Sequence, residues 1–149
     1  MAMQEIEFDR SLLGVEHQVE TITVDKEKIL AFCQAIGETN PLYTDDAAAK
    51  AAGYRALLAP PTFSTLLVRG TDRPDIKLNF GRTSFRAGEA IEVLGPIHAG
   101  DVLDVRSSLK TVYTKTGRSG TMCFVVWETS FTNREGERVI AVQESMVRR

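Results

Sequence analysis

The chain has 149 residues, of which 43% are hydrophobic and 26% charged, and its formal net charge is −2. This composition is typical of a soluble globular protein, and the length suits one domain, residues 1–149, that folds without a metal or disulfide. The small negative charge excludes the basic field that attracts nucleic acid or an anionic membrane. No run of about 18 apolar residues and no basic-then-apolar start occur, which predicts a cytoplasmic protein without a membrane span or signal peptide.

The first half of the chain combines one strand with helical segments. Residues 14–24 end in the alternating β-branched pattern of a strand. Asp25 is placed to cap a helix that ends at Gly37. The apolar residues of this helix that fall on one face, and are expected to be buried, are Ile29, Phe32, Cys33 and Ile36. A short alanine-rich helix is predicted over residues 46–52, and an apolar helix over residues 62–68 directly after two prolines.

From Ile76 onward the hydrophobic period changes to two. Short strands are predicted at residues 83–85 and 90–94, separated by a break at Ala87 and Gly88, and longer strands at 102–113, 121–131 and 138–147. The strand at 121–131 is apolar on both faces, which predicts a central position in the sheet. Helices kept apart from consecutive antiparallel strands indicate an α+β protein whose sheet curls over a mostly apolar helix.

The cysteine and histidine pattern does not point to a metal or redox site. Cys33 and Cys123 both lie in apolar runs and are expected to be reduced core residues. His17 and His98 are far apart in sequence, and His98 is expected to be solvated in a turn. No metal-ligand spacing, phosphate-binding loop, dinucleotide fingerprint or nucleophile elbow occurs, so no metal and no cofactor are predicted.

Three motifs resemble one known family when they are taken together. They are GETNPLYTDD at residues 37–46, LLAPPTF at 57–63 and GPIHAGD at 95–101, with the alanine-rich helix after the first and a long hairpin after the last. The chain resembles the MaoC-like branch of the hotdog fold. It is more narrowly similar to the N-terminal-type, FAS1-like dehydratase domain of two-domain hydratases and heterodimeric fatty-acid dehydratases. The resemblance runs from about Gly14 to Val147 and implies an antiparallel sheet curled around a central helix, in a dimer.

The resemblance assigns catalytic positions in the first motif. Active (R)-specific hydratases of this family carry an Asp and a His in a segment resembling GDxNPxH, and the pair adds water to an enoyl thioester or removes it in reverse. Glu38 stands at the Asp position and Tyr43 at the His position, while Asn40 and Pro41 match. Glu38 keeps a carboxylate displaced by one methylene, and placement errors of about 1 Å can cost on the order of 10²-fold in rate. A phenol ordinarily titrates near pH 10, roughly three units above the range suited to a base.

Substrate-binding positions follow from the same resemblance. In active relatives, backbone N–H groups at the start of the central helix hold the thioester carbonyl oxygen. Pro60 and Pro61 have no N–H, which leaves the amide and hydroxyl of Thr62 as the nearest donors. The substrate-binding positions implied are Asn40, Pro61, Thr62 and Arg86, the last for a CoA phosphate or a partner chain. The alternative is structural: Glu38 and Asn40 serve their own turn, Tyr43 packs, and Arg86 lies on the surface of a strand.

Three functions are compatible with the resemblance. The first is an (R)-specific enoyl-thioester hydratase or 3-hydroxyacyl dehydratase of fatty-acid metabolism, acting on acyl-CoA or acyl-carrier thioesters through Glu38 and Tyr43. The second is a non-catalytic, substrate-binding subunit that forms a heterodimer with a catalytic hotdog subunit. The third is an acyl-CoA thioesterase. A homodimer or heterodimer is expected in each case, because a single hotdog sheet leaves an edge strand uncovered.

Overall fold

The computed structural model describes residues 5–68 and 72–149, and its helices lie in the first half of the chain. A 3-10 turn (Arg10–Leu12) precedes strand β1 (His17–Thr23) and helices α1 (Lys26–Ile36), α2 (Pro41–Thr44) and α3 (Asp46–Ala51). A second 3-10 turn (Pro61–Phe63) leads directly into α4 (Ser64–Val68). None of the described helices has the length and apolar character needed to cross a membrane.

The second half of the chain supplies four of the five strands of one antiparallel sheet. These are β2 (Ser84–Val93), β3 (Val102–Gly117), β4 (Gly120–Thr132) and β5 (Arg138–Arg148). The sheet order is β1-β3-β4-β5-β2. Strand β4 has a hydrogen-bonded neighbour on each side, which confirms the central position predicted from its two apolar faces. The predicted α+β class and antiparallel sheet are also confirmed.

Two strand boundaries differ from the prediction. Residues 84–93 form one strand paired with β5 along its whole length, instead of two strands broken at Ala87 and Gly88. The register shifts between Arg86 and Gly88, because a β-bulge takes up one extra residue without ending the strand. Strand β3 also continues beyond Tyr113 to Gly117, which pairs with Gly120 across a tight hairpin.

Helix α1 begins and ends where its capping residues predict. The Asp25 side chain accepts a hydrogen bond from the amide of Glu27, and Gly37 ends the helix in the left-handed region at φ 71°. Ile29 and Cys33 are buried as expected. Ile36 is 52% exposed, which corrects the predicted buried face, because this last residue of the helix extends beyond the part of α1 that contacts the sheet.

The main core lies between the helices and one face of the sheet. Phe63 at the end of the second 3-10 turn and Phe131 on β4 are its largest members, and both are almost fully buried. Replacing either by alanine would typically cost about 3–5 kcal/mol. A second cluster, with Trp127 and Leu109 at its centre, packs under the segment around Ile76. The sheet thus covers α1 and α4 from one side, and Leu57 and Ala59 of the 37–61 segment belong to the same core.

Both cysteines are free and buried, as predicted. Burial raises the pKa of the Cys33 thiol, and the nearby Glu38 carboxylate raises it further. Burial also raises the pKa of the Cys123 thiol, and this outweighs the opposite effect of Arg148. Both side chains therefore favour the neutral, unreactive thiol at physiological pH.

Candidate functional site

The segment between α1 and α2 is held by its own polar side chains. The amide of Glu38 donates to the carbonyl of Cys33 at 2.9 Å, which completes the end of α1. A carboxylate oxygen of Glu38 accepts a hydrogen bond from the amide of Asn40 at 2.9 Å. The Asn40 side chain then accepts from the amide of Leu42 at 3.1 Å and caps α2. Both predicted site residues are thereby engaged in backbone turns.

Tyr43 is fixed by contacts on its main chain. Its amide donates to the Asn40 carbonyl at 3.0 Å, and its carbonyl accepts from the Cys33 thiol at 3.6 Å. The neighbouring residue Leu42 accepts a hydrogen bond from the amide of Leu58 at 3.0 Å. These bonds tie α2 to α1 on one side and to the 57–59 segment on the other, so they fix the position of the Tyr43 backbone.

A cleft of about 280 Å³ opens next to Tyr43. Its walls come from the loop after α3, from the end of β2 with the turn that follows it, and from β5. The lining residues are Tyr43, Tyr54, Leu58, Ala59, Pro61, Val93, Gly95, Pro96, Ile97 and Ile140. Two predicted site residues, Tyr43 and Pro61, are in this set, whereas Glu38, Asn40, Thr62 and Arg86 are not. The lining therefore offers a mostly apolar surface with two phenol groups and no carboxylate.

The Pro60-Pro61 turn supplies few donors to the cleft. Phe63 donates its amide to the Pro60 carbonyl at 2.9 Å, and the Ser64 hydroxyl donates to the Pro61 carbonyl at 2.8 Å. The Thr65 hydroxyl likewise donates to the Thr62 carbonyl. The side chain of Thr62 is exposed. The hydroxyl groups of Ser64 and Thr65 are thus used within the helix start.

A buried polar group that the sequence reasoning did not single out lies outside the cleft lining. Asp101 is 6% exposed and accepts hydrogen bonds from the amide of His98, at 2.9 Å, and from the Arg55 guanidinium. Nδ1 of His98 is 3.5 Å from the same carboxylate, and its ring lies 6.0 Å from that of Tyr54. The His98 side chain is 12% exposed, so the expectation of a solvated histidine was wrong. The sequence did contain a signal for this buried group, namely an aspartate that follows Gly100 in a turn between apolar strands.

Arg86 lies in a different part of the molecule. Its guanidinium pairs with Glu144, which is 3% exposed, and with Glu89 at 2.9 Å. Arg73 pairs with the second oxygen of Glu144 and contacts the ring of Trp127 at 5.3 Å. We call Arg73, Glu144, Arg86 and Glu89 the charged row. It lies on the helix-covered face of the sheet, away from the cleft lining.

No grouping of three or more His, Cys, Asp or Glu side chains suited to hold a metal ion occurs within residues 5–68 and 72–149. The cleft contributes hydroxyl and apolar groups, and hydroxyl groups of tyrosine are weak ligands for divalent cations compared with carboxylates and imidazoles. The arrangement is suited to bind an apolar chain and to orient a polar head group.

Comparison with known proteins identifies the family. The model of the family described as the FAS1-like dehydratase domain region matches residues 11–142 of this chain. A UPF0336 protein of Saccharopolyspora erythraea is 33% identical over 148 residues, which cover 95% of this chain and 92% of that protein. Another of Parafrankia sp. is 36% identical over 131 residues, covering 85% and 83%.

Solved structures share the fold at lower identity. A truncated HadBC (3R-hydroxyacyl-ACP dehydratase) complex from Mycobacterium tuberculosis matches with a TM-score of 0.76 at 22% identity, covering 93% of this chain and 98% of that one. The R-hydratase PhaJ1 from Pseudomonas aeruginosa matches with a TM-score of 0.68 at 20% identity, covering 90% and 79%. These likenesses confirm the hotdog fold expected from the sequence motifs. The chain belongs to the FAS1-like dehydratase domain family and has the fold of the MaoC-like dehydratases and hydratases.

Proposed function

We propose that the chain is the substrate-binding subunit of a heteromeric enoyl-thioester hydratase or 3-hydroxyacyl dehydratase. It would hold the acyl chain of an acyl-CoA or acyl-carrier thioester in the cleft beside Tyr43, and a catalytic hotdog partner would supply the acid–base pair. The observation that carries the proposal is that the cleft is apolar while the Glu38 carboxylate is turned to the amide of Asn40.

The chemistry of the cleft supports binding of an acyl chain. Its apolar walls are contributed by Leu58, Ile97 and Ile140, which are buried, and by Val93, which is 53% exposed at the rim. Each methylene that leaves water for such a surface contributes about 0.8 kcal/mol. The phenols of Tyr43 and Tyr54 are the polar groups of the lining and are suited to hydrogen-bond the thioester end.

The same site is poorly equipped for proton transfer. A general base must reach its proton within about 3 Å, directly or through one water. Glu38 is outside the cleft lining, and one of its oxygens is already an acceptor in the turn. Pro60 and Pro61, at the start of the 3-10 turn that leads into α4, have no N–H groups with which to hold a thioester oxygen. These features favour a binding role over catalysis by this chain alone.

A second candidate function keeps the reaction within this chain. Glu38 retains a second carboxylate oxygen, and Tyr43 lies on the cleft only five positions further along the same fixed segment. If the carboxylate turned toward the cleft on substrate binding, the chain itself would act as an (R)-specific hydratase. Loss of crotonyl-CoA hydration in Glu38→Gln would support this function.

One experiment separates the two functions. The purified chain is titrated with acyl-CoA of increasing chain length by calorimetry, and crotonyl-CoA hydration is followed in parallel. We expect affinity that rises with chain length and no hydration until a hotdog chain with an intact Asp/His pair is added. Val93→Asp, which places a charge at the rim of the cleft, should weaken binding by about tenfold or more.

The matched control is Val15→Asp, at a position that is 45% exposed and outside the cleft lining. It should leave affinity unchanged. Equal binding by the two variants would rule out the cleft as the acyl site. Hydration by the chain alone, abolished in Glu38→Gln, would replace the subunit proposal with the second candidate.

A further inference from the structure

The two phenols of the cleft lie at different depths. Tyr54 is 36% exposed and belongs, with Val93, to the accessible part of the lining. Tyr43 is partly buried and packs against the main core. An acyl chain in an apolar cleft is buried first, whereas its thioester end stays at the mouth because the attached carrier remains in water. Tyr54 is therefore the phenol that is placed to meet the thioester carbonyl.

Tyr54 is the first member of a closed set of side-chain contacts. Its ring lies 6.0 Å from the ring of His98 at an angle of 51°, which is within the range of aromatic pairs. Nδ1 of His98 lies 3.5 Å from the Asp101 carboxylate, and this carboxylate also accepts a hydrogen bond from the Arg55 guanidinium. Arg55 directly follows Tyr54 in the sequence, so the contacts return to their starting point. We call Tyr54, Arg55, His98 and Asp101 the clasp.

The clasp is anchored at its buried end. Asp101 is 6% exposed, and a second oxygen of its carboxylate accepts a hydrogen bond from the amide of His98 at 2.9 Å. The amide of Ala99 donates to the carbonyl of Leu57 at 2.7 Å, which joins the two segments that carry the clasp. Charge-assisted hydrogen bonds are strong and depend on geometry, so Asp101 fixes the place of His98 beside Tyr54.

We propose that His98 is a positioning residue that holds the Tyr54 phenol at the thioester carbonyl of a bound acyl chain. Tyr54 donates a hydrogen bond to this carbonyl oxygen, and the cleft thereby selects a thioester over an equally apolar ligand without the carbonyl. Pro60 and Pro61 have no amide donor for the same oxygen, so the phenol supplies the donor that their turn does not. The inference rests on the proposed function and adds the chemical group that the cleft recognises.

The test compares octanoyl-CoA with octyl-CoA, a thioether in which a methylene group replaces the carbonyl, by calorimetry on the full chain. We expect the unmodified chain to bind the thioester about three- to tenfold more tightly, which corresponds to one hydrogen bond. Tyr54→Phe keeps the ring and should abolish this preference. His98→Ala should reduce the preference, and it should have no further effect when it is combined with Tyr54→Phe, because His98 acts through the phenol. His98→Gln, which keeps a polar group beside Asp101 but lacks the ring, should behave as His98→Ala does.

The matched controls are Tyr113→Phe and His17→Gln, both outside the cleft lining, which should leave the preference within about twofold. A merely structural role of His98 would weaken the binding of both ligands equally and leave their ratio unchanged. An unchanged ratio in the His98 variants, or a preference that survives in Tyr54→Phe, would overturn the inference while the acyl site itself stands. If the unmodified chain bound neither ligand, the proposed function would fall together with the inference.

Discussion

Single residues decide how the 37–46 motif is interpreted. The sequence could show that a carboxylate, an amide and a phenol lie close together, and it left open whether they bind substrate or support a turn. The structure brings Tyr43 to the cleft and engages Glu38 and Asn40 with backbone amides. The direction of a side chain depends on which hydrogen bonds are available nearby, and that information is not contained in residue type.

Asp46 provides a prediction at this scale. Its carboxylate forms an ion pair with Lys50 at 2.8 Å and accepts a hydrogen bond from the amide of Leu57 at 2.9 Å. The second contact attaches α3 to the segment that leads to the cleft. The hydrogen bond from Lys50, followed by that from the Leu57 amide, lowers the pKa of this carboxyl below its ordinary value of 3.8. The ionised carboxylate therefore contributes its full stabilisation of the fold at pH values above the ordinary pKa. This stabilisation is lost as the pH falls through the lowered pKa.

We expect Asp46→Asn to reduce the melting temperature at neutral pH, measured by circular dichroism. The difference from the unmodified chain should shrink as the pH falls below 3.8 and vanish below the lowered pKa. Asp72→Asn, at an exposed loop position, is the control and should change little at either pH. A deficit that persisted unchanged in acid would show that the charge of Asp46 is not what stabilises this segment.

At the scale of elements, capping residues and hydrophobic period were reliable guides. Asp25 and Gly37 fix the ends of α1, and the two apolar faces of residues 121–131 place β4 at the centre of the sheet. The bulge in β2 could not be predicted, because Ala87 and Gly88 also fit the ordinary signal for a turn. Only the partner strand β5, distant in sequence, holds the two parts of β2 in one ladder.

At the scale of elements, the testable prediction concerns substitutions of Gly37, the residue that ends α1. Its φ of 71° is unfavourable for residues with a Cβ atom, although a Cβ would meet no other atom within 4 Å. Gly37→Ala should therefore lower the free energy of unfolding in urea by about 1 kcal/mol through backbone strain alone. Gly37→Asn is the matched variant and should lose less, since asparagine tolerates this region better. Equal losses would indicate that the side chain itself disturbs the segment.

On the scale of the whole molecule, the sheet has one face under the helices and one that is more open. The sequence predicted this general arrangement, but it did not predict that charges would lie on the covered face. Glu144 and Arg73 are 71 positions apart in the sequence and meet only in the folded chain. Contacts of this kind arise from the tertiary fold, so local patterns carry no sign of them.

The two faces should respond differently to loss of a carboxylate. Glu144→Ala leaves Arg73 and Arg86 without their shared counter-charge on the covered face, and should cost about 3 kcal/mol or more. Glu128→Ala removes the partner of Arg138 and Lys110 on the open face, and should cost about 1 kcal/mol or less. Both values can be read from urea unfolding. A similar cost for the two variants would contradict the difference between the faces.

Because the thiols of Cys33 and Cys123 are buried, ligand binding in the cleft can be followed with a thiol-reactive fluorescent label. Because neither sulfur is accessible in the folded chain, a maleimide dye would attach selectively to a single cysteine introduced at Val93 on the rim. The emission wavelength of the dye would then show whether an acyl chain lies beside the dye. The arrival and departure of a ligand could be timed in a stopped-flow instrument, with both native cysteines left in place.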